Sequence, residues 1–565
     1  MEGHTWDAVG LTPGARGVAV AGNTIVFPIV GDIEVDDDDV HACTVIYSED
    51  NGATWKFPAV PVIGKDCDSA TLLEWEGKLL MATSKSTSWR RRVYESNDKG
   101  KTWTEAYGTL PRLLSQSDAP PMLYGSVDLM TATIEKRSVL LYTQLFSSSS
   151  AAAAGKQSST HKVINLWLSD GARIFDVGPI SADDAGFYPF TSLLHTQGGL
   201  FALYSKKGEH GGLDSLVFRP LTEQLQHIKS LLHTWKGVDD RVSTLCSSTT
   251  TATKGGTKAA GCVGPLPTAG LIGFLSNNAS DTHWNDECLG LGATVSTGTT
   301  TKVENGFRLA GRGARIVWPM GRQESNPVRS YVGEELTLVA TVTISKVPTG
   351  VTSLLGVSMM SPNGKRLGLW YDERRHWKTK RGEEGNASAV TWEVGTAYRV
   401  AFTLQKGGCS AYVDGQLVGS LGDQGVSPLE APHSPGVGRE RSLPEIQPEI
   451  VSDIYFGGYG EDAESHVTVT NVLLYSRRFN DSEIAALKRM ETKHPTTAAA
   501  FPAQDHTGTK HSATGSAGGR SGSSGAASTH HAKTKAADSS VRGRLSGVLL
   551  SLLLLLVMWD FSALC

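Results

Sequence analysis

Apolar and polar positions alternate in short runs through the first 220 residues, at 17–20, 24–28, 44–47, 78–83, 139–144 and 200–204, with turn residues between the runs. This pattern predicts half-buried strands joined by tight turns. The period changes at 222–235, where Leu225, Ile228, Leu231, Leu232 and Trp235 recur at helical spacing. A connecting helix is expected over 222–236, with Thr222 as its N-cap and the apolar stripe used for packing. From 263 the two-residue period returns, at 336–344, 367–371, 398–404, 411–418, 454–457 and 467–475, with Asp414-Gly415 as a hairpin turn. A second all-β domain, a β-sandwich, is expected over 263–491, closed by a short helix that Asn480 and Glu483 cap. Residues 492–540 are rich in Ala, Ser, Thr, Gly and His without periodicity, and read as a disordered stalk.

One string repeats. Residues 47–55 read Y-S-E-D-N-G-A-T-W, and 48 residues later 95–103 read E-S-N-D-K-G-K-T-W. The shared pattern is S-x-D-x-G-x-T-W, and the spacing suits one propeller blade. Ser48, Asp50, Gly52, Thr54 and Trp55, with Ser96, Asp98, Gly100, Thr102 and Trp103, are the residue types a hairpin turn needs. The Ser and Asp bond backbone N–H groups, the Gly takes positive φ, the Thr re-enters a strand and the Trp packs between sheets. A weaker copy at 168–171 lacks the Thr and Trp. Asp50 and Asp98 are therefore expected to be structural.

Composition narrows the classes. The net charge is −4 with no basic block, which argues against nucleic acid as a partner. No cofactor or metal motif is present, and the acidic run 36–39 lacks the alternation and glycine of a calcium loop, so it reads as a solvated hairpin tip. Seven cysteines include Cys565, which lies in a tail expected to be removed. The remaining six allow disulfides, with Cys246 and Cys262, flanking a Ser/Thr/Gly-rich loop in the linker 237–262, as the candidate pair; Cys43 and Cys409 read equally as free small hydrophobes. At the end, 541–547 is a polar spacer and 548–559 an apolar tail too short to span a bilayer. With small residues before it, the stretch 541–565 reads as a glycosylphosphatidylinositol (GPI) attachment signal, with Asp538 as the attachment site. Sequons place candidate N-glycans at Asn278, Asn386 and Asn480, the last also a helix cap. Residues 1–30 carry no signal segment, which sits poorly with export.

The repeated turn is the aspartate box of sialidases, and the chain resembles the trypanosomal trans-sialidase superfamily. The strings L-E-W-E-G-K-L at 73–79, N-L-W-L at 165–168 and V-T-V-T-N-V-L-L-Y at 467–475 carry the resemblance. It implies an all-β protein: residues 1–221 as the C-terminal part of a six-bladed sialidase β-propeller, followed by a concanavalin-like lectin β-sandwich. Two to three blades would be missing, leaving sheet edges and an unclosed core exposed.

Sialidase chemistry needs clustered arginines to grip the sugar carboxylate, a tyrosine nucleophile with a glutamate base, and an acid/base aspartate. The resemblance places the base at Ser69, the second arginine at Ser84 or Lys85, the third arginine near His161, the tyrosine at Phe190 and the glutamate supporting the first arginine at Ser205. Each expected residue is replaced. Tyr188 stands as a displaced nucleophile candidate, and Arg90 to Arg92 as a solvated strand. The resemblance thus implies a non-catalytic, GPI-anchored cell-surface glycoprotein that adheres to host cell-surface glycoproteins or glycans, or displays variable antigen. An active sialidase is the alternative. Val467, Val469, Asn471, Tyr475 and Arg477 match the superfamily's adhesion motif and read equally well as a buried strand.

Overall fold

In a computed structural model, residues 6–488 are described except 11–15, 21, 36–37, 59–63, 66, 68, 85–91, 107–127, 150–159, 182–190, 209–214, 246–264, 298, 321–334, 360–365, 382–383, 406–407, 423–450 and 459–462. All of them fall in one compact unit, Met1–Glu491, distinct from Thr492–Cys565. The stalk, the attachment signal with Asp538, and Cys246 with Cys262 lie outside the described residues.

Four antiparallel sheets follow one another along the first 220 residues. The first holds β1 (Trp6–Gly10), β2 (Val18–Val20), β3 (Thr24–Val35), β4 (Asp38–Ser48) and β5 (Gly64–Lys65). The second holds β6 (Ser69–Trp75), β7 (Lys78–Ser84), β8 (Arg92–Ser96) and β9 (Thr104–Glu105). The third is built from β10 (Leu129–Ile134), β11 (Arg137–Ser149), β12 (Thr160–Ser169) and β13 (Ile174–Pro179), and the fourth from β14 (Thr191–Thr196), β15 (Gly199–Lys206) and β16 (Ser215–Pro220).

The two-residue period explains the stacking, because each inner sheet is apolar on both faces. Leu72, Leu79 and Met81 face Val26, Cys43 and Val45 of the first sheet. Their neighbours Leu73, Leu80 and Ala82 point the other way, onto Leu140, Tyr142 and Trp167 of the third. Val139, Leu141, Leu166 and Leu168 then meet Leu193, Leu200, Ala202 and Tyr204 of the fourth. This is propeller stacking, four blades long. The outward face of the fourth sheet is left open: Leu194, Leu216 and Phe218 are exposed, and the Phe218 ring stacks on Phe201.

Two details differ from expectation. Cys43 is not a free thiol; it is bonded to Cys67, tying the first sheet to the approach to the second, while Cys409 and Cys288 are buried and not disulfide-bonded. The helix, α1, runs Thr222–Thr244, well past 236, so the linker begins later. Its N-cap is Leu221, which offers no side-chain bond, and Thr222 is already helical. Gly237 and the Asp239-Asp240 pair look like a stop in sequence, yet tertiary contacts carry the helix through them. The stripe splits at that point. Leu225 to Trp235 pack in the propeller core, whereas Val238 and Val242 join a cluster with Phe274, Val339, Leu473 and Tyr475 of the second domain.

That domain is one hydrogen-bonded sheet of 16 strands, a continuous path from which the hairpin Thr300–Val303 with Gly306–Arg312 branches. The long strand Glu464–Tyr475 lies at its centre, bonded to Leu271–Ala279, Gly306–Arg312 and Glu335–Ile344. The path folds into two layers around a core holding Trp284, Trp318, Trp377 and Trp392. Its ends nearly meet, because Gly419 lets Thr379 of the other end approach to within what would be a Cβ clash. The helix α2 (Asp481–Ala486) closes the domain through a complete capping box of Asn480 and Glu483.

Candidate functional site

The repeated turns are built as their residue types demand. Ser48 Oγ donates to Asp50 Oδ1 at 2.7 Å and accepts the Gly52 N–H at 2.7 Å. Asp50 accepts the Thr54 N–H at 2.7 Å and the Thr54 hydroxyl at 2.6 Å. The second copy repeats all four bonds through Ser96, Asp98, Gly100 and Thr102 at 2.6 to 2.8 Å. Gly52 and Gly100 take φ of 94° and 88°. These bonds, the Thr54 hydroxyl first, hold Asp50 down at about 2. Both carboxylates are fully occupied in holding their turns. The tryptophans differ: Trp103 is half-buried against the core between the first two sheets, whereas Trp55 is exposed, and each spends its indole N–H on its own turn, at Gly100 O and Gly52 O.

Of the positions where the resemblance expects catalytic residues, Ser69 opens β6 half-buried and pairs with Ser84, and Ser205 is buried on β15 opposite Leu216. His161 pairs with Ser148 on β12. Lys85, Phe190, Tyr188, Arg90 and Arg91 lie outside the described residues. Serine at two of these places offers neither the anionic base nor the arginine partner that the chemistry requires.

A polar cluster that the sequence did not single out joins three of the four sheets. Arg16, just before β2, bonds Asp128 at 2.9 Å and donates to Ser192 Oγ at 2.6 Å and to the Leu193 carbonyl. Asp128 also accepts the Leu193 N–H, while its own N–H reaches Thr143 Oγ1, 2.6 Å from Thr191 Oγ1. Burial pushes the Asp128 carboxyl up to about 6 against the pull of Arg16. An isolated Arg within a loop and an Asp more than a hundred residues away carry no joint signal in sequence. This arginine is spent on an internal carboxylate, unlike one poised for a substrate carboxylate.

In the second domain the motif 467–477 is a central strand. Val467, Val469 and Tyr475 are wholly buried; Asn471 sits half-buried at a bulge with φ of 48°. Arg477 makes a two-pronged ion pair with Glu483 at 2.6 and 2.7 Å. Of the candidate adhesion residues, Val467, Val469 and Tyr475 are thus turned into the core, while Asn471 and Arg477 keep part of their surface, as do their neighbours Thr468, Thr470 and Ser476. Asn278 is exposed on the surface, bonded by Asn285. Asn386 lies on the strand Glu384–Thr391, and Asn480 accepts the Glu483 N–H through Oδ1, which leaves Nδ2 outside the cap. Among the described residues no cluster of His, Cys, Asp and Glu could hold a metal ion.

Stacked sheets closed by aspartate boxes, followed by a helix and a two-layer β domain, define a sialidase-type propeller joined to a lectin-like sandwich. Family models agree: residues 2–205 match the BNR repeat-like domain and 267–482 the trans-sialidase C-terminal domain. The chain is 33% identical over 496 residues to Sialidase 85-1.1 of Trypanosoma cruzi, spanning 85% of this chain and 59% of that protein. A second T. cruzi sialidase is 32% identical over 78% of this chain and 36% of its own length. Among solved structures, Trypanosoma rangeli sialidase with 2,3-difluorosialic acid superposes with a TM-score of 0.64 at 33% identity, covering 86% of this chain and 71% of that one. The chain belongs to the trypanosomal sialidase and trans-sialidase family.

Proposed function

We propose that the protein is a non-catalytic surface glycoprotein of this family, held at the membrane by a lipid anchor at Asp538 and acting in adhesion to host glycoproteins or glycans. The observation that carries the reading is the set of replacements: Ser69 for the base, Phe190 for the nucleophile and Ser205 for the arginine-supporting glutamate. Phenylalanine has no oxygen with which to attack a sugar carbon, and serine at neutral pH cannot act as the base that activates one. Adhesion is the role that the resemblance to the inactive branches of this superfamily implies. The anchor rests on the order of small residues, polar spacer and apolar tail.

Purified full-length protein is expected to release nothing from a fluorogenic sialoside above a heat-denatured blank, and to bind host-type cells whose surface glycans are intact. Release of the fluorophore that is lost on Tyr188→Phe overturns the non-catalytic reading in favour of an active sialidase. Treatment of expressing cells with a phosphatidylinositol-specific phospholipase is expected to free the protein. Retention on the cells removes the lipid anchor from the proposal.

A further inference from the structure

The weak third copy of the turn pattern, Ser169-Asp170-Gly171, has lost its Thr and Trp but keeps the turn. Gly171 N–H reaches Ser169 Oγ at 3.1 Å, and Asp170 Oδ1 accepts the Ala172 and Arg173 N–H groups at 3.2 and 2.8 Å. Gly171 has φ of 89°, and the Trp75 ring would lie 2.9 Å from a Cβ there. What differs is Asp170 Oδ2. In the two complete copies that oxygen takes the hydroxyl of the turn's own Thr. Here it takes two guanidinium groups, Arg173 at 3.1 Å and Arg137 of β11 at 3.3 Å.

Both arginines then reach beyond the propeller. Arg137 bonds Asp239 Oδ2 of α1 at 2.6 Å, and Arg173 bonds both oxygens of the same carboxylate. Two cations and two anions form a closed, neutral set in which Arg173 is only 4% exposed and Asp170 9%. The Arg173 guanidinium also lies over the Trp235 ring at 5.6 Å, and the Trp235 indole N–H bonds the Cys288 carbonyl of the second domain at 2.9 Å. Ala172, inside the turn, packs against the second domain's main core. Two residues beyond Asp239 on α1, Arg241 pairs with Glu287, which also receives Ser276.

We propose that this third box has been converted from a hairpin closure into an interdomain bolt, whose four charged groups clamp the third blade to α1 at the point where Trp235, Arg241 and Ala172 fasten onto the lectin-like domain, so that all three form one cooperative unit. Asp239 stands where the apolar stripe of α1 changes cores, between Trp235 on the propeller side and Val238 and Val242 on the other. A charge network at that point fixes the rotation of the helix and so the orientation of both domains. Removing one member strands a buried charge, which costs far more than the intact network contributes. The bolt is thus all-or-none. It holds the sandwich rigidly against the blades instead of letting it swing on a linker.

Scanning calorimetry on the full chain tests this, with the two ordinary boxes as controls. The wild-type protein is expected to unfold its propeller and sandwich in one transition. Arg173→Met, and the milder Arg137→Gln at the half-exposed rim, are expected to split it into two, with hydrogen exchange rising in the C-terminal half of α1. Asp98→Asn disturbs a box without an interdomain arm, and is expected to lower the melting temperature without a split. If Arg173→Met does not fold, Arg137→Gln carries the test alone. The proposal is overturned if the wild type already melts in two steps, if Arg137→Gln keeps a single transition with unchanged exchange in α1, or if Asp98→Asn splits the transition in the same way.

Discussion

Removing the Cys43–Cys67 bond is the sharpest test of how the open stack of blades is held. The two sulfurs close a loop across a sequence separation of 24 residues, with both cysteines at 2% exposure or less. Chain-entropy bookkeeping for a loop of that size gives about 3.5 kcal/mol of stabilisation, acting mainly on the unfolded chain. For a propeller-sized unit, that is a fall in melting temperature of about 7 to 14 °C. Cys43→Ala with Cys67→Ala avoids leaving a lone thiol and removes little apolar volume. The assay is a thermal melt followed by near-UV circular dichroism, run beside wild type with and without reductant. Alkylation of the denatured, unreduced protein serves as a control, since a formed bond leaves Cys43 and Cys67 unlabelled. A double variant that melts within about 2 °C of the oxidised wild type would refute the claim that this bond holds the first sheet to the second.

Three further outcomes follow from the charges and caps. Asp50 is held below its ordinary range by its turn, so the stability it contributes is present above about pH 4 and is lost as pH falls towards about 2; acid titration of Asp50→Asn is expected to be flatter in that window. Asp128 is shifted the other way, to about 6, so its neutral form is favoured in the fold and its contribution declines as pH rises from about 4 through 6. Denaturant midpoints compared at pH 4.5 and 7.5 should show that decline in the wild type and lose it in Asp128→Asn; an unchanged difference refutes the assignment. Asn480→Ala removes the helix cap at a cost of about 1 kcal/mol, read as a shift in denaturant midpoint with an unchanged slope.

The strand architecture was legible because burial follows sequence parity: Leu72 and Leu73, or Leu140 and Leu141, sit on opposite faces and fill opposite interfaces. The boxes were legible because each is made from neighbours within eight residues. The helix end was not, since Gly237 and Asp239 oppose helix locally and only contact with Arg137, Arg173 and the second domain reverses that. The disulfide was missed for a related reason. Cys43 sits on a strand close to Ala42, Val45 and Ile46, so its position reads equally as a small buried hydrophobe. Likewise Arg16 and Asp128 meet only through the stacking of sheets.

The motif at 467–477 shows why a family string need not mark a binding surface. Its strand bonds three others and supplies both the main core, through Val467, Val469 and Val472, and the helix-facing cluster, through Leu473 and Tyr475. Arg477 then fastens α2. Deleting the strand removes members of both clusters at once, so lost cell binding after deletion would report lost folding. On the strand itself, Thr468, Thr470 and Asn471 keep partly exposed atoms, and beyond its end so do Ser476 and Arg477. If this stretch touches a host molecule, Thr468→Ala with Thr470→Ala weakens binding several-fold while the melting temperature moves by only a few degrees. Unchanged binding in that folded variant places adhesion elsewhere on the protein and leaves the string as a demand of the fold.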